Sequence, residues 1–137
     1  MAVTDASSIV SLFATHEANH AASRAWYERA RQGAVRQRLF APAILLAEVS
    51  SAFAKSMNDP ARAAAVLAVI ERREMIELVP VSVALARTAS RLAREFGLRG
   101  CDSIYVALAQ ELDDVLVTFD EEQLRRGAAV VRVERPA

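Results

Sequence analysis

Leu98 to Leu124, LRGCDSIYVALAQELDDVLVTFDEEQL, is the stretch whose reading decides the fold. Ile104, Tyr105, Leu108, Ala109 and Leu112 recur at helical spacing, and Val115 to Phe119 is the short β-prone run of a buried strand. The helix opens on one carboxylate, Asp102, and the strand closes on another, Asp120. Asp102 lies three residues before Tyr105 and seven before Ala109, on the inward side of the helix. An ionised carboxylate there needs a cation or hydrogen-bond donors to offset its lost hydration.

Working outward, strand and helix signals alternate. Ala2–Thr4 is a short strand ending at Asp5, with Ser7 and Ser8 leading into a helix through Ile9 to Phe13. Arg38–Ala41 is a strand closed by Pro42, and a helix follows from about Ile44 to Met57. Glu48 falls within that helix's apolar arc of Ile44, Leu45, Val49, Ala52 and Phe53. Asn58-Asp59-Pro60 starts the next helix, Ala61 to Arg73. Ile76–Val79 predicts a third strand, Ser82–Phe96 a helix capped by Gly97, and Ala129–Val133 a fifth strand after a short helix from Glu121 to Gly127. Helices between successive strands predict an α/β fold, a parallel five-stranded sheet covered on both faces.

Composition narrows the class. The 137 residues, 53% of them hydrophobic, suit one compact domain spanning 1–137. Basic and acidic residues both number 17, so net charge advertises no polyanionic partner, although only Lys55 among the basic residues is a lysine. A lone cysteine, Cys101, excludes an internal disulfide, and no run reaches the ~18 apolar residues of a membrane span. The start, MAVTDASSIV, has none of the parts of a secretory signal, so the expected setting is cytoplasmic, without a membrane.

His16-Glu17-Ala18-Asn19-His20 is the competing motif, since H-E-x-x-H on a helix holds zinc in peptidases. These are the only two histidines, and they continue onto Arg24, Tyr27 and Arg31, the polar face of an amphipathic helix ending near Gly33. A zinc metallopeptidase is therefore the weaker reading.

In a parallel sheet every strand's C-terminal end meets one edge, where ligands bind. Asp5 and Asp120 both follow strands and share it, and Asp102 and Glu48 stand near helix starts on inward arcs. Asp113 and Asp114 precede a strand and belong to the opposite edge. Capping explains Asp5 or Asp120 singly but not the convergence of four acids. Clustered carboxylates resist joint ionisation, and a divalent cation relieves them; oxygen ligands without histidine or cysteine point to Mg²⁺ or Mn²⁺ and so to phosphodiester hydrolysis.

The segments VTDASSIV (3–10), LLAEVSSAF (45–53), GCDSIYVALAQ (100–110) and LVTFD (116–120), in this order, resemble a PIN domain, most closely the VapC-type toxins of bacterial toxin–antitoxin pairs. The resemblance implies a PIN-like three-layer α/β/α sandwich with strand order 3-2-1-4-5. It also implies a metal-dependent endoribonuclease acting on RNA as a homodimer and neutralised by a cognate antitoxin. By it, Asp5, Glu48, Asp102 and Asp120 hold the metal and carry catalysis, and Thr118 is a hydroxyl supporting the site and meeting substrate. Many relatives carry a further aspartate after the fourth acid where this chain has Glu121 and Glu122. Arg99, three residues before Asp102, is the best-placed basic contact for RNA, with Lys55 second. A phosphorylation-regulated receiver would want a lysine after a late strand, which is absent, and a non-catalytic module of the same fold is the remaining alternative.

Overall fold

The structure, a computed structural model, describes residues 1–33 and 37–137. Five strands, β1 (Ala2–Thr4), β2 (Leu39–Pro42), β3 (Glu77–Val79), β4 (Val115–Val117) and β5 (Val133–Glu134), pair in parallel in the order β3-β2-β1-β4-β5. Val3 sits opposite Phe40 on one side and Leu116 on the other. Every residue of β1 and β4 is buried, which is why both read as continuous apolar runs.

Among the described residues, seven α-helices link the strands: α1 (Ala6–Phe13), α2 (His20–Gln32), α3 (Leu45–Ser51), α4 (Pro60–Glu71), α5 (Val83–Phe96), α6 (Gly100–Leu112) and α7 (Glu121–Arg126). The chain steps β1→β2→β3 in one direction, then returns past β1 to β4 and β5. With right-handed crossovers, that reversal places α1–α4 on one face and α5–α7 on the other, the α/β/α sandwich expected. Helix α6 packs on β1, β2 and β4 with α5 alongside it, so Tyr105 to Ala109 are all buried. Among the described residues no helix is long and apolar enough to cross a membrane.

Local chemistry fixes the ends. Asp5, Asp59, Ser82 and Asp120 each accept an N–H from the first turn of the helix they precede. Gly97 closes α5 at φ +67°, and a Cβ there would lie 2.2 Å from the Arg126 guanidinium.

Beyond one- or two-residue shifts, as in β2, β3 and α4, four boundaries differ from the sequence expectation. The 44–57 helix divides into α3 and a π-helical turn, Ala52–Ser56, that keeps Phe53 in the core. Strand β4 stops at Val117, because Thr118 to Asp120 bend to cap α7. The last strand begins at Val133 rather than Ala129, since Gly127–Ala129 form a 3₁₀ turn that leads Val130 and Val131 over the core before pairing begins. Helix α2 starts at His20, with residues 15–19 in turns, so His16 and His20 do not share a helix. His20 Nδ1 instead lies 2.9 Å from the Ser11 carbonyl oxygen, which removes the geometry the zinc peptidase reading requires.

Candidate functional site

The site lies at the C-terminal edge where β1 and β4 adjoin, the point at which the following helices, α1 and α7, leave for opposite faces. Asp5 ends β1, is only 2% exposed, and has both oxygens engaged. Its Oδ1 accepts the Ser8 N–H (3.1 Å) and the Ser7 hydroxyl (2.7 Å). Its Oδ2 accepts the Thr118 hydroxyl and an N–H of Gln123 (3.2 Å). Burial outweighs these donors and, with the negative charge of Asp120 nearby, raises the Asp5 pKa from 3.8 to about 6. Below it, Thr4, Ser8 and Tyr27 form a buried hydroxyl cluster that joins β1, α1 and α2.

Asp102, on the first turn of α6, is 6% exposed. Its Oδ1 accepts the second N–H of Gln123 (3.0 Å), and its Oδ2 pairs with Arg99 Nε at 2.7 Å. Asp120 caps α7 through Oδ1 and meets Arg99 Nη2 through Oδ2 at 2.9 Å. Glu48 comes from α3, half-buried, and accepts the Tyr105 phenol at 2.6 Å. Burial raises the Glu48 pKa, the Tyr105 hydrogen bond opposes that rise, Asp102 adds to it and Arg99 lowers it. Tyr105 stands one turn along α6 from Asp102, so its hydrogen bond brings Glu48 to the same end of that helix.

All four sequence-predicted acids thus gather at one edge, carried by β1, α3, α6 and the turn after β4. Asp114, by contrast, lies at the other edge, 3.2 Å from the Met1 amino group. Thr118 is 0% exposed with its hydroxyl given to Asp5, so here it fixes an acid and its hydroxyl does not face solvent. Arg99 is on the rim, its side chain 66% exposed, and it borders a groove of about 590 Å³ with Ser7, Asn19, Phe119 and Asp120. Lys55 is exposed on the π-helical turn. Glu121 is ion-paired with Arg135, and Glu122 with Arg125 and Arg126 (2.9 and 2.6 Å), so neither stands among the acids that Arg99 and Gln123 join.

Three participants escaped the sequence reading. Ser7 accepts the Phe119 N–H (2.9 Å) while donating to Asp5, tying the exit of β4 to the start of α1. Tyr105 reads only as part of an apolar stripe, yet its hydroxyl orients Glu48. Gln123 stands three residues after the Asp120 cap, the place of a capping-box glutamine. In such a box its side chain would return to the Asp120 N–H, but that N–H is taken by Thr118 Oγ1 (2.9 Å). The carboxamide is therefore released inward, 2% exposed, between Asp5 and Asp102, and its Oε1 has no hydrogen-bond partner. Leaving such an atom unsatisfied costs about 1–3 kcal/mol.

The donor set suits a hard divalent cation: carboxylate oxygens, with no thiolate or imidazole among them. Among the described residues no three acidic, histidine or cysteine side chains form a ready-made metal cage. The reason is visible in the contacts, since Arg99 draws Asp102 and Asp120 toward the rim while Gln123 stands between Asp102 and Asp5. Arg99 is itself exposed but its partner Asp102 is buried, so a cation that took the place of Arg99 would have to take over the neutralisation of that carboxylate. Gln123 Oε1, at the far end of the amide that touches Asp5 and Asp102, adds one more buried hard oxygen without a partner at this edge.

Residues 2–129 match the PIN domain family. The chain belongs to it. Comparison with curated proteins gives no significant match. Among solved structures, the PIN domain described here resembles Mycobacterium tuberculosis VapC20, a sarcin–ricin-loop-cleaving toxin, with TM-score 0.76 and 17% identity over 94% of this chain and 95% of that one. VapBC2 from Rickettsia felis, bound to a DNA fragment from its promoter, gives 0.74 and 15% over 98% and 97%. A toxin–antitoxin complex from Klebsiella pneumoniae gives 0.69 and 20% over 100% and 98%. At these identities the likeness is one of fold, and it extends over nearly the whole chain.

Proposed function

We propose that this PIN domain is a Mg²⁺-dependent endoribonuclease, with Mn²⁺ able to substitute, that hydrolyses phosphodiester bonds in single-stranded RNA as the toxin of a cytoplasmic toxin–antitoxin pair. The observation that carries the reading is the meeting of acids from four separate segments at the β1/β4 switch point. Asp5 and Asp102, each in contact with Gln123, would hold the ion, and Glu48 and Asp120 would complete its surroundings. When bound, the ion supplies a Lewis acid for phosphate oxygens and lowers the pKa of a water ligand.

The protein's part is positioning. Thr118, Ser7 and the Ser8 N–H lock Asp5 in one rotamer, so its oxygens do not reorganise when charge develops. Glu48 is half-buried, has a raised proton affinity and is oriented by Tyr105, which suits it to take a proton from an attacking water. Arg99, once freed from the acids, is on the rim to meet a substrate phosphate. Support for the toxin role comes from the fold shared with VapC20 and with the Rickettsia felis and Klebsiella pneumoniae toxin–antitoxin structures. That role brings a cognate antitoxin and a second copy of the chain as partners.

Arg99 also gives the non-catalytic alternative its one support, because its bridges neutralise two of the acids without any ion. End-mapping of total RNA incubated with purified protein separates the readings. The nuclease predicts discrete Mg²⁺-dependent cuts, abolished by chelation and reduced at least a hundredfold in a folded Asp102→Asn protein. Absence of cuts, or cuts unchanged in Asp102→Asn, would refute it.

A further inference from the structure

We propose that Gln123 is a member of the cation-holding set: its carboxamide spans Asp5 and Asp102 through its N–H groups when no ion is present, and turns to offer Oε1 when one binds. The inference deepens the nuclease reading and rests on it. Both N–H contacts, 3.2 Å to Asp5 Oδ2 and 3.0 Å to Asp102 Oδ1, fall on the same nitrogen. That nitrogen therefore stands beside both carboxylate oxygens, where a third ligand atom of a cation held by the two acids would stand. In a cation-free protein the two acceptors dictate which end of the amide points inward. The other end, Oε1, is buried and satisfied by nothing.

A half-turn about the Cγ–Cδ bond exchanges the two atoms with almost no change in shape. It would set an amide oxygen against two carboxylates, an arrangement only a positive charge between them makes favourable. Amide oxygen is an ordinary ligand for hard cations. Gln123 is held for this role by its backbone, since its N–H is fixed by the Asp120 cap at 2.9 Å and the capping-box alternative for its side chain is occupied by Thr118.

If the amide only competed with the ion through its N–H groups, removing it would tighten cation binding. If Oε1 serves the ion, removing it weakens binding, by about tenfold or more as for other groups supporting a metal centre. Calorimetric titration of Mn²⁺ into wild type, Gln123→Met, Gln123→Glu and Asp5→Asn, with thermal unfolding in chelator as the fold control, tests this. The expected result is weaker binding in Gln123→Met, binding at least as tight as wild type in Gln123→Glu, and none in Asp5→Asn. Unchanged or tighter binding in Gln123→Met, or weaker binding in Gln123→Glu, would overturn the inference while leaving the nuclease reading intact. Wild type that fails to bind, or Asp5→Asn that binds normally, would overturn the site itself. On wild-type protein, the Gln123 side-chain amide resonances should shift on Mg²⁺ addition as the N–H groups leave the carboxylates, and their constancy would count against the turn.

Discussion

Replacing Asp5 by asparagine should stabilise the cation-free protein at neutral pH, although it removes a central acid. Burial holds the Asp5 pKa at about 6 against an ordinary 3.8, so the native state binds this proton more tightly than the unfolded chain. The contribution to stability is fully present below pH 3.8, declines as pH rises through that interval, and is lost above pH 6. At about 1.4 kcal/mol per tenfold change in proton affinity, the ionised carboxylate costs the fold about 3 kcal/mol at pH 7.5. Asparagine keeps the shape without the charge, and because the raised pKa already includes the hydrogen bonds from Ser7, Ser8 and Thr118, the gain over the ionised wild type is about 3 kcal/mol. For a chain of this size that is a rise in Tm of about 10 °C. Thermal unfolding of both proteins in chelator from pH 4 to pH 8 should show coincident curves at pH 4 that separate toward pH 7.5. Adding Mg²⁺ should then raise the wild type alone. An Asp5→Asn protein that is less stable at pH 7.5, or a difference independent of pH, would refute the electrostatic account of this residue.

Other substitutions isolate single contacts. Thr118→Val keeps the volume but takes the hydroxyl from Asp5, and RNA cleavage should fall at least tenfold in kcat with little change in KM, because the side chain is buried against Asp5. Arg99→Ala removes the group that bridges Asp102 and Asp120, so Mn²⁺ affinity should rise severalfold in titration calorimetry while the KM for RNA also rises. Tyr105→Phe leaves Glu48 without its donor, and urea unfolding should show a loss of about 1 kcal/mol together with an acid limb of the pH–rate profile displaced upward.

Much of this was legible in the chain because the decisive residues border strands. Asp5 and Asp120 each follow an apolar run, which fixes their sheet edge without any tertiary knowledge, and the inward arc of α6 declares Asp102. Glu48 was legible as an anomaly, an acid on an apolar face, but its donor was not, since Tyr105 belongs equally well to the core. Gln123 was hidden in EEQLRR, where a polar residue in a charged helix reads as exposed; only the diversion of the Asp120 N–H to Thr118 turns it inward. The HEANH segment misled for a related reason, as the motif presumes a helix that begins before His16, whereas α2 begins at His20. The fifth strand was displaced by four residues because Val130 and Val131 are apolar for packing under a turn, and apolar composition alone does not separate that from pairing.

Crystals of the protein soaked in millimolar Mn²⁺ and measured for anomalous scattering test the central claim most directly. The account predicts a strong peak within ligand distance of Asp5 and Asp102, with Arg99 swung away from Asp102. A peak-free acidic edge with both Arg99 bridges intact, or a peak only at His16 and His20, would contradict it.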